Sequence, residues 1–210
     1  IQGTISPQGS ALAVDTVAAI REAVGPNIDI LIDCHGNFDV PTAISMAKLL
    51  EPFNIGWIEE PVQPNSNEAL KHVKESVNVP ICVGERLYAR WGFVPILKDL
   101  LAEYLMPDIL WTGGITELYK ISALAESFYV PVSPHDASGP INILAGAHTM
   151  MTIPNFYKLE INHASLDSLN SMIDEPLNID NGKIQLPARP GLGVNLDEEF
   201  IEAHLDNDWK

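Results

Sequence analysis

Six acidic or imidazole side chains recur at nearly constant spacing through this chain: Asp33, Glu59, Glu85, Asp108, His135 and Glu160. The intervals between them are 26, 26, 23, 27 and 25 residues. All but one directly close a short apolar run, and the runs read IDILID, IGWIEE, VPICVGE, YLMPD, YVPVSPH and FYKLE. A buried strand, a covering helix and two loops need about that much chain. One strand–helix unit therefore repeats, and each strand delivers a titratable side chain from its C-terminal end. In a parallel α/β barrel these ends converge on one face, where active sites are built. Five carboxylates and an imidazole focused there are costly unless a cation or a reaction uses them.

The strands are continuously apolar rather than alternating, as parallel strands covered on both faces are. Helices are predicted over 15–23, 42–50, 67–76, 93–101, 116–128 (with Thr116 as N-cap) and 141–151. Residues 1–10 carry Gly, Ser and Pro and read as loop. The pattern changes after Glu160: residues 161–187 are polar without a clear period, although Asp180-Asn181-Gly182 reads as a tight turn between short strands. Residues 187–194 (PARPGLGV) read as a rigid crossing, and the acidic end, 197–210, as surface. Six strands are two short of the eight that close such a barrel. Together with a first residue that is Ile1 rather than Met, this leads to the expectation that upstream chain is missing.

The net charge of −16, from 28 acidic against 12 basic residues, argues against nucleic acid and anionic membrane surfaces as partners. No apolar stretch reaches the length of a membrane span, and no leader peptide is visible. Cys34 and Cys82 lie within strand runs and read as packing residues rather than a disulfide framework, so a reducing cytoplasm is expected.

Asp33, Glu59 and Glu85 end three consecutive strands and should be neighbours around the mouth. One such carboxylate alone would read as a solvated loop residue, but three at equivalent positions do not. Hard oxygen donors from separate strands suit Mg²⁺, and no Cys/His cluster spaced for zinc accompanies them. Strand alternation puts Asp33 and His35 on one face with Cys34 turned away, and likewise Glu85 with Val83 and Cys82 away. Glu60 should point away from Glu59. Asp108 and His135 end adjacent strands, so the carboxylate can fix the imidazole tautomer and raise its basicity, which makes a general base. A core histidine beside a chance carboxylate is the plainer alternative. His72, His148, His163 and His204 have no such setting and read as structural or surface.

These residues carry a resemblance. The chain resembles the enolase superfamily in its mandelate racemase-like branch, and within it the sugar-acid dehydratases of the galactonate and gluconate type. The matching strings are IDCHGNF (Asp33, His35, Gly36), WIEEPV (Glu59, Glu60, Pro61), VGERLYARWGF (Gly84, Glu85, Arg86), MPDILWTGGITE (Asp108, Gly113, Gly114), SPHDASGP (His135, Gly139, Pro140) and PGLGV (Pro190 to Val194). They occur in the family's order across residues 12–197.

The resemblance implies the C-terminal part of a (β/α)₇β TIM-like barrel, with residues 1–160 as strands three to eight and the N-terminal capping domain absent. Residues 161–210 would be a C-terminal segment packing on the barrel or on the missing cap. It implies Mg²⁺ on Asp33, Glu59 and Glu85, His135 as base oriented by Asp108, and Glu160 bonding the substrate carboxylate. His35 would be the acid that protonates a departing β-hydroxyl, which separates dehydration from racemisation. The implied enzyme is a lyase converting an aldonate-type sugar acid into a 2-keto-3-deoxy acid through an enediolate. A homo-oligomer that requires its N-terminal part is expected. Two alternatives stand beside it: a racemase, epimerase or cycloisomerase sharing the enediolate step, and a noncatalytic sugar-acid binding protein on the same scaffold. Residues of the second strand and of the cap, which select substrate in the family, have no counterpart here, and DASG after His135 offers no bulky pocket wall.

Overall fold

The computed structural model describes residues 3–162 and 165–205, so the expectation for His163 lies outside the described residues. The chain begins with a long helix, α1 (Pro7–Val24). Ser6 caps it by accepting a hydrogen bond from the Gly9 N–H at 3.0 Å. Residues 7–10 are therefore helix rather than the expected loop: Pro7 occupies the first turn, where its missing N–H costs nothing. Gly25, at φ 73°, ends the helix where the Gly-Pro pair predicts.

The repeating units follow: β1 (Leu31–Asp33), α2 (Val40–Leu50), β2 (Trp57–Glu59), α3 (Asn67–Ser76), β3 (Ile81–Val83), α4 (Ala89–Lys98), β4 (Tyr104–Leu105), α5 (Ile109–Thr112), α6 (Ile115–Glu126) and α7 (Pro140–Met150). The α3 bounds match the sequence reading, while α4 starts four residues early. Gly114, not Thr116, stands at the N-cap of α6.

The sheet is parallel with order β1-β2-β3-β4, in the registers Asp33↔Glu59, Glu59↔Cys82 and Cys82↔Tyr104. The fifth and sixth runs continue the arc only as isolated parallel bridges, Leu105↔Val132, Asp108↔His135 and Val132↔Phe156. Pro131 and Pro134 remove two backbone donors from the fifth run, which limits it to bridges. This is the arc of a TIM-type barrel with helices on its outer face.

Side chains sort by face. Val83 and Leu105 point outward and pack with helical residues such as Leu70, Val73, Phe93 and Ile96, while Ile58 packs outward with Val17, Met46 and Leu50. Trp57, Cys82 and Met106 pack on the inner face with Leu31 and Tyr104. The expectation that Cys82 turns away while Val83 shares the Glu85 face is thus reversed. Gly84, at φ 149°, interrupts the alternation and swings Glu85 inward. Both cysteines are free, and Cys82 is a buried packing residue.

Residues 165–204 are more ordered than their polarity predicts. They form α8 (Leu166–Asn170), the hairpin β5 (Asn178–Asp180) and β6 (Lys183–Gln185), and α9 (Glu198–His204). The hairpin turns through Asn181 and Gly182 at positive φ, as expected. Leu169, Ile173 and Leu177 are buried against Ile143 and Leu144 of α7, so this segment is fastened to the barrel wall. Among the described residues no helix is long and apolar enough to cross a membrane.

Candidate active site

All six strand-end residues, with His35, stand at one end of the arc. Asp33 closes β1, and the chain then turns through His35 in the left-handed region, at φ 52°. The His35 N–H donates to Asp33 Oδ1 at 2.7 Å, which holds that turn. Extended strand alternation therefore does not carry His35 inward; a turn does. The turn is tied to the neighbouring strand exit, because Gly36 N–H donates to the Glu60 carbonyl at 2.7 Å and Gln63 Nε2 to the Gly36 carbonyl at 2.7 Å.

Glu85 is the hub. Its Oε1 accepts from Arg86 Nε at 2.9 Å and lies 3.6 Å from His35 Nε2. Its Oε2 lies 3.1 Å from His135 Nε2. The hydrogen bond from His135, outweighing burial, pulls the Glu85 carboxyl down to about 2, with Arg86 adding to it.

The expected Asp108–His135 pair forms, with Nδ1 2.7 Å from Oδ2. Asp108 is itself fixed: it is buried, and its Oδ1 accepts the Leu110 N–H at 2.7 Å as the cap of α5. His135 therefore faces a carboxylate at each ring nitrogen. Burial opposes the charged form, but the bonds to Asp108 and Glu85 and the charge of Glu160 push the imidazole up to about 10. Glu160 lies 3.7 Å from His135 Nε2 and accepts the Asp136 N–H at 2.9 Å. Burial raises its carboxyl above the usual range. Asp136 anchors the loop after His135: its Oδ1 accepts from Ser138 N–H, Ser138 Oγ and Asn142 Nδ2 at 2.8–3.0 Å.

Glu59 is the least compensated group. It is 4% exposed, and among the described residues no donor reaches its carboxylate. Burial, then the charges of Asp33, Glu160 and Glu85, push it up to about 8. A buried carboxylate without a donor, facing three like charges, fits a site that takes a cation, and an all-oxygen set fits a hard one such as Mg²⁺. Among the described residues, however, no three His, Cys, Asp or Glu side chains already stand in a ligating array. Both Glu85 oxygens are turned to other partners, Oε1 to Arg86 and Oε2 to His135.

Sequence reasoning overlooked the partner of Glu60. This residue is 1% exposed, and its Oε2 lies 2.7 Å from Arg86 Nη2. A carboxylate predicted to point into the wall needs a cation, and the arginine directly after Glu85 was the available signal. The other described histidines lie away from the site. His72 is an exposed α3 residue, His148 faces the Leu192 carbonyl at 3.3 Å, and His204 stacks on Phe200.

A family model described as enolase C-terminal domain-like matches residues 4–200. D-xylonate dehydratase of Haloferax volcanii is 36% identical over 91% of this chain and 47% of its own length. D-gluconate/D-galactonate dehydratase of Picrophilus torridus is 35% identical over 94% of the chain and 51% of its own. Among solved structures, a mandelate racemase/muconate lactonizing enzyme-like protein from Rubrobacter xylanophilus superposes with a TM-score of 0.92 at 38% identity, over 99% of this chain and 53% of that one. The chain spans about half the length of the curated relatives it matches.

Proposed function

The chain belongs to the enolase C-terminal domain-like family, and on that premise we propose that it is the catalytic barrel of a Mg²⁺-dependent hydro-lyase acting on an aldonate-type sugar acid. The substrate class is taken from relatives named for xylonate, gluconate and galactonate. The product would be a 2-keto-3-deoxy acid.

One observation carries this reading: two imidazoles meet the same carboxylate, His35 at 3.6 Å from one Glu85 oxygen and His135 at 3.1 Å from the other. An acid and a base thus flank a single residue of the donor set Asp33, Glu59 and Glu85. A cation held there would bind the substrate carboxylate and draw off the charge that develops as the α-proton leaves.

His135 takes the α-proton at Nε2. Asp108 accepts from Nδ1 throughout, so the ring keeps its orientation and the imidazolium is stabilised once formed. The Glu85 contact to Nε2 has to break first and the proton it favours there has to leave, because a ring protonated at both nitrogens cannot take the α-proton. His35, 65% exposed at its side chain, reaches over the mouth and gives its proton to the β-hydroxyl. The C–H and C–O bonds break, a carbon–carbon double bond forms, water leaves, and the enol ketonises. Glu160 faces the same space and would hydrogen-bond the substrate carboxylate.

NMR of a sugar acid in D₂O separates the two histidines. His135→Asn should lose both α-proton exchange and dehydration. His35→Asn should lose dehydration by about 10² to 10⁴, the usual worth of one general acid, while retaining exchange. If His35→Asn dehydrates at the wild-type rate, His35 is not the acid; a wild type that exchanges the α-proton but releases no keto acid would make a racemase or epimerase the better reading.

A further inference from the structure

Three strand exits meet at one guanidinium. Arg86 Nε donates to Glu85 Oε1 at 2.9 Å, beyond β3. Its Nη2 lies 2.7 Å from Glu60 Oε2, beyond β2. Its Nη1 packs beneath Gly36, beyond β1, so closely that a Cβ there would sit 3.0 Å from it. The last contact matters because Gly36 follows His35. Glu60 is 1% exposed, and Arg86 is its only cationic partner among the described residues. The Glu60 contact is a close ion pair rather than an aligned hydrogen bond, whereas the Glu85 contact is aligned.

We propose that Arg86 is a positioning residue: its fork, braced on buried Glu60, fixes the Glu85 carboxylate and the His35 turn relative to each other. The inference rests on the reading of Glu85 as a metal ligand and His35 as the leaving-group acid. Neutralising Glu60 needs only a positive charge nearby. Holding Glu85 and supporting Gly36 at the same time needs the planar guanidinium with its separate nitrogens, which an ammonium cannot reproduce. Glu60 serves as the anchor because it is 1% exposed, on a backbone that turns at φ 38° just before Pro61.

The experiment uses the full-length protein and three variants, Arg86→Lys, Arg86→Met and the double variant Glu60→Gln/Arg86→Met. Mg²⁺ affinity is measured by calorimetry, melting temperature by scanning calorimetry, and dehydration against α-proton exchange by NMR in D₂O. Arg86→Met leaves Glu60 buried and alone, so its melting temperature should fall. The double variant removes that charge and should recover it. If Arg86 positions Glu85 and His35, both Met variants should still bind Mg²⁺ about 10- to 100-fold more weakly, the usual cost of losing a residue that orients a ligand. Dehydration should fall more than exchange, and Arg86→Lys should recover stability better than dehydration. Recovery of wild-type Mg²⁺ affinity and dehydration by the double variant would overturn the inference, because Arg86 would then serve only to neutralise Glu60. A wild-type protein that binds Mg²⁺ but dehydrates no sugar acid would fail the proposed function alone, leaving the affinity comparison to decide Arg86. A wild-type protein that binds no Mg²⁺ overturns both.

Discussion

At the scale of single residues, function is written in the groups that the fold tolerates badly. Glu59 is buried, has no donor among the described residues, and faces Asp33, Glu160 and Glu85. Its carboxyl, pushed up to about 8 by burial first and those charges second, holds a proton in the folded protein across a range where the unfolded chain has released it. The unfolded state therefore binds fewer protons between about pH 5 and 8, and stability falls as pH rises through that window. The slope from one such group is at most about 1.4 kcal/mol per pH unit. In EDTA, Glu59→Gln should flatten this slope and match or exceed the wild-type melting temperature near pH 8, while Mg²⁺ binding by calorimetry and turnover are lost. An unchanged Mg²⁺ affinity in this variant would remove Glu59 from the ligand set.

At the scale of elements, the site depends on how each strand ends. Three exits use left-handed or otherwise positive φ: His35 at 52°, Glu60 at 38° and Gly84 at 149°. Gly84 is the most exacting, since an added Cβ would lie 2.7–2.9 Å from backbone atoms of Met106 on the neighbouring run. Gly84→Ala should destabilise the protein by about 3 kcal/mol, combining backbone strain with a clash that a flexible side chain cannot relieve. Denaturant unfolding checks this, and a loss under about 1 kcal/mol would mean that the exit is not constrained. These exits also explain what the sequence could and could not reveal. The repeat and the faces of β1 and β2 were legible because apolar runs and strand-end acids obey simple periods. The orientation of Cys82 and Val83 was misread because one glycine resets the alternation before Glu85, and the period carries no trace of it. The early start of α1 was missed because Pro7 breaks a helix anywhere except its first turn. The Asp108–His135 pair was legible from equivalent strand ends. The Arg86–Glu60 pair was missed, because its logic lies in burial rather than in spacing and the arginine after Glu85 was its one signal.

At the scale of the whole molecule, the arc has two edges. Among the described residues β1 pairs only with β2, and the 156–160 run is bonded on one side only, to the 132–134 run, through the Val132↔Phe156 bridge, Glu160 N–H to the Pro134 carbonyl at 3.2 Å and Ser133 Oγ to the Lys158 carbonyl at 2.8 Å. The edges approach each other through side chains: Tyr157 Oη donates to Asp29 Oδ2 at 2.9 Å, and Lys158 pairs with the same carboxylate. Polar side-chain contacts at 39–50% exposure contribute little compared with a strand ladder. Beside this edge runs an apolar groove of about 600 Å³, walled by Met150, Met151, Phe156, Leu159 and Ile184. Unpaired strand edges beside exposed apolar surface are templates for association. The relatives that match are about twice as long, so in them further chain is available to cover such an edge. Residues 1–210 expressed alone should accordingly bind the dye ANS, unfold over a broad range and self-associate as concentration rises, even though α1 to α7 pack well around β1 to β4. Supplying the remaining half of a full-length relative should suppress dye binding and sharpen the transition, because backbone pairing at β1 would replace the Asp29 contacts. A monomeric, dye-silent 210-residue protein with a single cooperative transition would contradict this. It would mean that the Asp29–Tyr157–Lys158 contacts and the inner aromatic cluster of Trp57, Tyr104 and Tyr157, with ring centres 5.0–6.2 Å apart, suffice to hold the two edges together.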